Sequence, residues 1–180
     1  MSNDKLFSIL DFGSSKLRLG IFKNYLNNSK FISEIDSLDN FEFKSNNEKQ
    51  KQNLQDLIIK TEKEINQHMN NINVMFDCPK ILFIDFSIKK DMDKIKSDNS
   101  VFKNILQEAK QIIEEKNKNY KILHIIISKY ILDGIKFDNM PENIIIEEAI
   151  LELKFILAPN IILDSIKELL KDNHISINNF

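Results

Sequence analysis

The chain has 180 residues, 42% of them hydrophobic and 29% charged, a balance that suits one globular domain or two small ones with a real core. Its formal net charge of −2, with Lys and Asp/Glu interleaved, excludes a strongly basic nucleic-acid surface. The single cysteine, Cys78, excludes an internal disulfide and any multi-cysteine metal site. Its apolar flanks predict a buried free thiol. Lys5 is followed by only a short apolar run, broken at Asp11, which is not a signal pattern, and no stretch reaches the ~18 apolar residues of a membrane span. The expectation is a cytoplasmic protein.

In chain order, residues 6–22 (LFSILDFGSSKLRLGIF) come first. They read as two short apolar strands joined by a tight turn. Glycine is scarce, 3 in 180, yet Gly13 and Gly20 both fall here. An acid at a strand end followed by Gly-Ser-Ser-Lys suits a phosphate-holding hairpin. Asp11 can hold a magnesium ion through its water shell. Gly13 lets backbone approach a phosphate closely, because no Cβ intervenes. Ser14 and Ser15 offer N–H groups and hydroxyls, and Lys16 adds positive charge. No G-x-x-x-x-G-K-[ST] loop occurs anywhere, so this is not a Walker-type site. A plain hairpin with a polar turn has the same pattern.

A third strand is expected near residues 30–35, then a solvated Asn- and Lys-rich loop. A helix is predicted over 52–71, with Leu54, Leu57, Ile58, Ile65, Met69 and Ile72 on one face. Residues 80–88 (KILFIDFSI) read as a buried strand beside the first hairpin. Asp85 within it is expected to be a partly solvated edge carboxylate. The alternating charges of 89–99 suggest a solvated linker. A second helix is expected over 100–116. After it, 120–132 reads as a strand pair or one long bent strand, followed by a turn at Asp133-Gly134. Residues 148–158 alternate well, with Ala149, Leu151, Leu153, Phe155 and Leu157 on one face. A third helix over 160–172 and a strand from 175 follow.

The three histidines do not form a catalytic or metal set. His68 and His174 sit in polar surroundings, and His124 is expected to be a core histidine. Ser14 and Ser15 lack a recognisable base for a nucleophile role.

Taken together, these stretches resemble the N-terminal half of FtsA, a bacterial cell-division family of the actin-like superfamily. LDFGSSKLRLGIF resembles its first phosphate hairpin. Residues 121–137 (KILHIIISKYILDGIKF) place His124, Tyr130 and Asp133 at the family's steps. Ile127 stands where the family usually has Pro, and residues 138–142 replace its Gly-containing loop. The resemblance implies an α/β (α+β) fold: a partial actin-like ATPase lobe plus a small inserted α/β sandwich. It places the lobe at 1–88, the inserted strand–helix–strand–strand subdomain at 89–174, and a return strand at 175–180.

It also implies ATP with Mg2+ as ligand, held by Asp11, Gly13, Ser14, Ser15 and Lys16, with Asp11 serving the metal through water. The family's second phosphate loop, adenosine site and C-terminal amphipathic membrane helix lie beyond the matched half. Binding by this chain is therefore expected to be weak or absent, and ATPase activity weak at most. The implied partners are other FtsA-like protomers and the division-ring proteins FtsZ and FtsN, at the cytoplasmic face of the inner membrane, with no nucleic acid. Two other readings stand beside this one. One is a stand-alone non-enzymatic interaction module, which would leave Ile81, Leu82, Ile84 and residues 175–180 as an apolar face needing a partner. The other is a pilus-assembly actin-like relative, against which the His124–Tyr130–Asp133 stretch argues.

Overall fold

The structure is a computed structural model that describes residues 5–13, 16–25, 28–36 and 48–180. In chain order the elements are β1 (Lys5–Phe12), β2 (Leu17–Tyr25), β3 (Asn28–Asp36), α1 (Glu48–Ile65), β4 (Asn71–Phe76), β5 (Leu82–Lys96), α2 (Asn99–Lys116), β6 (Tyr120–Leu132), β7 (Ile135–Phe137), β8 (Ile145–Pro159), α3 (Asn160–Lys171) and β9 (Ser176–Asn179). The fold is mixed α+β. It divides into two compact units, Met1–Pro79 with Ile161–Phe180, and Lys80–Asn160.

The first unit is built on a five-stranded sheet ordered β3-β2-β1-β4-β9. β1, β4 and β9 run parallel. β2 is antiparallel to both β1 and β3, so it alone runs against the rest. Period-two alternation puts Leu10 and Phe12, Leu17, Leu19 and Ile21, and Ile72 and Val74 on one buried face. That face meets Leu54, Leu57 and Ile58 of α1 and Ile166 and Leu170 of α3, so both helices lie on the core side.

The strand beside β1 is therefore β4, not KILFIDFSI. The expected helix over 52–71 stops at Ile65. Asn66 takes a left-handed φ of 53°, a conformation that Asn tolerates and that ends helices. The Glu62 carboxylate then accepts the Met69 N–H at 2.9 Å and pairs with His68 Nδ1 at 3.1 Å. Met69 and Ile72 do reach the core, but from a connecting loop and a strand, and their spacing happens to continue the helical stripe.

The second unit is a wholly antiparallel sheet ordered β5-β8-β6-β7. Phe102, Ile105, Ala109 and Ile113 of α2 pack on Ala149, Leu151, Leu153, Phe155 and Leu157 of β8. Asp98 caps α2, its carboxylate accepting the Ser100 and Val101 N–H groups at 2.8 and 3.0 Å. Its element order is strand–helix–strand–strand, with the short β7 added as a hairpin to β6.

This unit begins with the first residue of KILFIDFSI, Lys80, and ends at the first residue of α3, Asn160, whereas the expected boundaries lay at 88/89 and 174/175. The charged run after Ile88 is no linker either. It continues β5, where Lys89 and Lys90 pair with Glu148 and Glu108 and Lys94 with Glu147. Alternating charge is what a strand with one solvated face shows. Asp85 is a solvated edge carboxylate, as expected, with its side chain 83% exposed and Lys154 at 3.6 Å. Residues 120–132 form one strand, bent by irregularities near Leu123 and Ser128. Most of the expected apolar face is covered among the described residues. Leu82 and Ile84 pack against the second core, and Ile175, Ile177 and Phe180 belong to or pack against the first.

Candidate functional site

β1 and β2 form the expected hairpin, with Asp11 directly opposite Arg18 and Phe12 opposite Leu17. Because Phe12, Leu17 and Leu19 turn inward, Asp11 and Arg18 share the other face. The Gly13 N–H donates to the Lys16 carbonyl at 3.0 Å and closes the turn. A Cβ on Gly13 would sit 3.1 Å from that same carbonyl oxygen, so the tightness of the turn explains the glycine. Ser14 and Ser15 lie outside the described residues. Lys16 is exposed at the mouth of the hairpin.

Sequence reasoning passed over Arg18. It is the only arginine among the 180 residues. Its Nη1 lies 3.4 Å from Asp11 Oδ2, so the guanidinium engages the carboxylate expected to serve magnesium. The signal was available: Arg18 lies where a two-residue turn pairs it with Asp11.

In the second unit the residues carrying the FtsA resemblance have other tasks. His124 is exposed rather than core, because the irregularity near Leu123 turns it outward. Tyr130 packs edge-to-face on Phe102, with ring centroids 5.2 Å apart, and burial raises its pKa above the ordinary value. Asp133 shapes the turn into β7. It and Gly134 both take positive φ, 48° and 82°, the two-residue geometry that hairpins favour. The Asp133 carboxylate accepts the Glu147 and Glu148 N–H groups at 3.0 and 2.7 Å. Buried Ser97 anchors the loop that replaces the family's Gly-containing one. Its hydroxyl donates to the Pro141 carbonyl and accepts the Ile144 N–H, both at 3.0 Å.

An acidic hollow of about 560 Å³ lies beside this turn, lined by Asp91, Asp93, Lys94, Asp133, Glu147 and Glu148. Three of its carboxylates are already engaged. Lys94 pairs with Glu147 and Lys89 with Glu148, and Asp133 is committed to backbone. The hydrogen bond and charge of Glu148 raise the Lys89 pKa. Among the described residues no group of three or more His, Cys, Asp or Glu could hold a metal. No described helix is long and apolar enough to cross a membrane.

No sequence-family model matches this chain, and no curated protein matches it. The fold does have a match. A chain of the PilM-PilN type IV pilus biogenesis complex superposes with a TM-score of 0.58 at 10% identity, covering 97% of this chain and 46% of that one. The fold is actin-like. The match supports the fold alone and does not single out FtsA. This chain corresponds to less than half of its neighbour's length.

Proposed function

We propose that this actin-like chain is a protein-interaction module of an assembly machine, of the pilus-biogenesis kind rather than the division-ring kind. The observation that carries the reading is the fold likeness to a chain of a pilus-biogenesis complex over 97% of this chain. The division-ring reading rests on the hairpin and the His124–Tyr130–Asp133 stretch. In this structure Tyr130 and Asp133 have packing and turn-forming tasks, and His124 is solvent-facing. None of them needs a division partner to explain it.

In this proposal the module is non-catalytic and works on the cytoplasmic side of a membrane, through a partner protein. The hairpin around Asp11, Gly13, Ser14, Ser15 and Lys16 is one wall of a site for the phosphates of ATP, with magnesium supplying charge neutralisation when bound. One wall covers little of a ligand that pockets normally enclose, so binding by this chain is weak.

Photo-crosslinking in the native cells, read by mass spectrometry, tests the reading. The expected result is specific crosslinks to a component of an envelope filament or secretion assembly. Crosslinks concentrated on FtsZ or other division-ring proteins, or none beyond background, would sink it.

A further inference from the structure

The two edges of the second sheet are built differently. β5 pairs only with β8, and its free side carries devices that keep edges from recruiting other strands. Lys89, Lys90, Asp91, Asp93, Lys94 and Lys96 crowd its second half. Its register breaks between Asp91 and Ile95, where Lys94 takes a φ of 51°.

β6 pairs with β8 on one side, but β7 covers only Tyr130, Ile131 and Leu132 on the other. Over residues 120–129, among the described residues, no strand lies on that outer side. This run, YKILHIIISK, has no acid, proline or glycine. Ile122, Leu123, Ile125, Ile126 and Ile127 give it high strand propensity, and Ile126 is 48% exposed. Its two irregularities flank an unbroken stretch, 124–127, in regular register with β8. An open strand edge presents unpaired N–H and C=O groups, a template for one more strand.

We propose that the edge of β6 over residues 120–129 accepts an extended segment of a partner protein, apolar in its middle and acidic at its ends. Charge selects that occupant. Lys121 and Lys129 bracket the apolar run, and exposed His124 lies within it. A second copy docked antiparallel about residues 124 and 125 would set Tyr120 against Lys129 and Lys121 against Ser128. Each end would then bring Lys121 within one register step of the copy's Lys129. Like charges across a strand pair destabilise it and opposite charges stabilise it. An acid-ended strand satisfies both lysines, although Lys129 must then be shared with Asp138, now 3.0 Å away.

The inference rests on the interaction-module reading and adds where the partner docks and what its docking segment is like. Two synthetic peptides test it, both alternating Val and Thr in the middle, one with Glu pairs at its ends and the other with Lys pairs. Fluorescence anisotropy reports binding to the whole chain, and amide hydrogen exchange reports where. The Glu-ended peptide is expected to bind and to slow exchange over 120–129 but not in β5. The Lys-ended peptide is expected to bind about tenfold more weakly or less. The double change Lys121→Glu with Lys129→Glu should reverse that preference, while circular dichroism confirms an intact fold. The proposal is overturned by no binding, equal binding of both peptides, protection outside β6, or a self-dimer that protects β6. Crosslinks to an assembly partner through another surface would then leave the module reading standing.

Discussion

The two sheets bury similar kinds of side chain by different routes. In the first unit, parallel strands β1, β4 and β9 are contributed by distant parts of the chain, and two helices cover the buried face. In the second, every pairing is antiparallel, and one helix covers the buried face. Antiparallel sheets tolerate a wet face, so their strands alternate strictly. β8 does so from Ala149 to Leu157. The parallel strands of the first unit are short and embedded among polar groups. In β4, the Asn71 and Asn73 side-chain oxygens accept hydrogen bonds from the amides of Asn178 and Asn179 of β9 at 3.1 Å. The Ser8 hydroxyl donates to the Asn71 carbonyl at 3.0 Å. Polar side chains thus bridge β1, β4 and β9 in the first sheet, whereas a ladder of ion pairs lines β5 and β8 in the second.

The sharpest test of that contrast removes one large side chain from each core. Phe155 is fully buried and meets Phe86 edge-to-face, with centroids 6.1 Å apart. Phe155→Ala should cost about 3–5 kcal/mol, and Ile72→Ala, in the other core, about 2–5 kcal/mol. Urea unfolding gives the totals, and hydrogen exchange shows where protection is lost. The expected result is that Phe155→Ala strips protection from Lys80–Asn160 and spares the sheet around β1. Simultaneous loss across both units would show that they fold as one and break the comparison.

Two glycines offer a smaller contrast. Gly134 sits at φ 82° with open space where a Cβ would go. Gly134→Ala therefore meets only the backbone penalty of the left-handed region, roughly 1–2 kcal/mol. Gly13 has ordinary φ but meets the Lys16 carbonyl, so Gly13→Ala must open the hairpin turn slightly. The prediction is a clear fall in the second unit's unfolding midpoint for Gly134→Ala. Gly13→Ala should instead produce chemical-shift changes confined to β1 and β2. Equal losses of stability would mean that turn strain is shared alike by both units.

The same contrast explains what the sequence disclosed. Alternation in β8, the amphipathic stripe of α2 and the Asp133-Gly134 turn were legible, because local pattern and tertiary burial agree there. β4 was not, since six residues with Ile72 and Val74 inward also extend the helical spacing of α1. Only the left-handed Asn66 separates the two readings. The boundary between the units was hidden in the charges of β5, which read as a linker until a strand edge is supplied for them. At the hairpin, Asp11, Gly13 and Lys16 were visible as a motif. Arg18 was not, because its meaning depends on cross-strand register rather than on neighbours in the chain.

A pH experiment probes the second unit's single capped helix. The Ser100 hydroxyl, then the Val101 N–H, hold the Asp98 pKa below its ordinary 3.8. A depressed carboxylate contributes stability that is complete above its unfolded value and lost as pH falls through the lower folded one. Asp98→Ala should therefore lower the unfolding midpoint of the second unit at neutral pH. The gap to the unaltered chain should narrow as pH falls below about 3.8. Asp98→Asn keeps a capping oxygen without the charge, so its midpoint should follow a flatter course through the same range. A gap that widens with acidity would remove the cap as its cause.

The smallest expected effect concerns the ion pairs on the outer face of the second sheet. Lys154 lies 3.6 Å from Asp85, with side chains 44% and 83% exposed, and the two residues are directly opposite in the β5–β8 register. Solvent screens such a pair, and holding two flexible side chains together costs entropy. A double-mutant cycle with Lys154→Ala and Asp85→Ala should give a coupling of about 0.2–1 kcal/mol that shrinks at high salt. The charged ladder would then serve mainly to keep β5 and β8 in register and the guarded edge polar, with burial of Leu153 and Phe155 supplying the stability. A salt-insensitive coupling well above that range would reverse this ranking and make the wet face of the second sheet a main source of its stability.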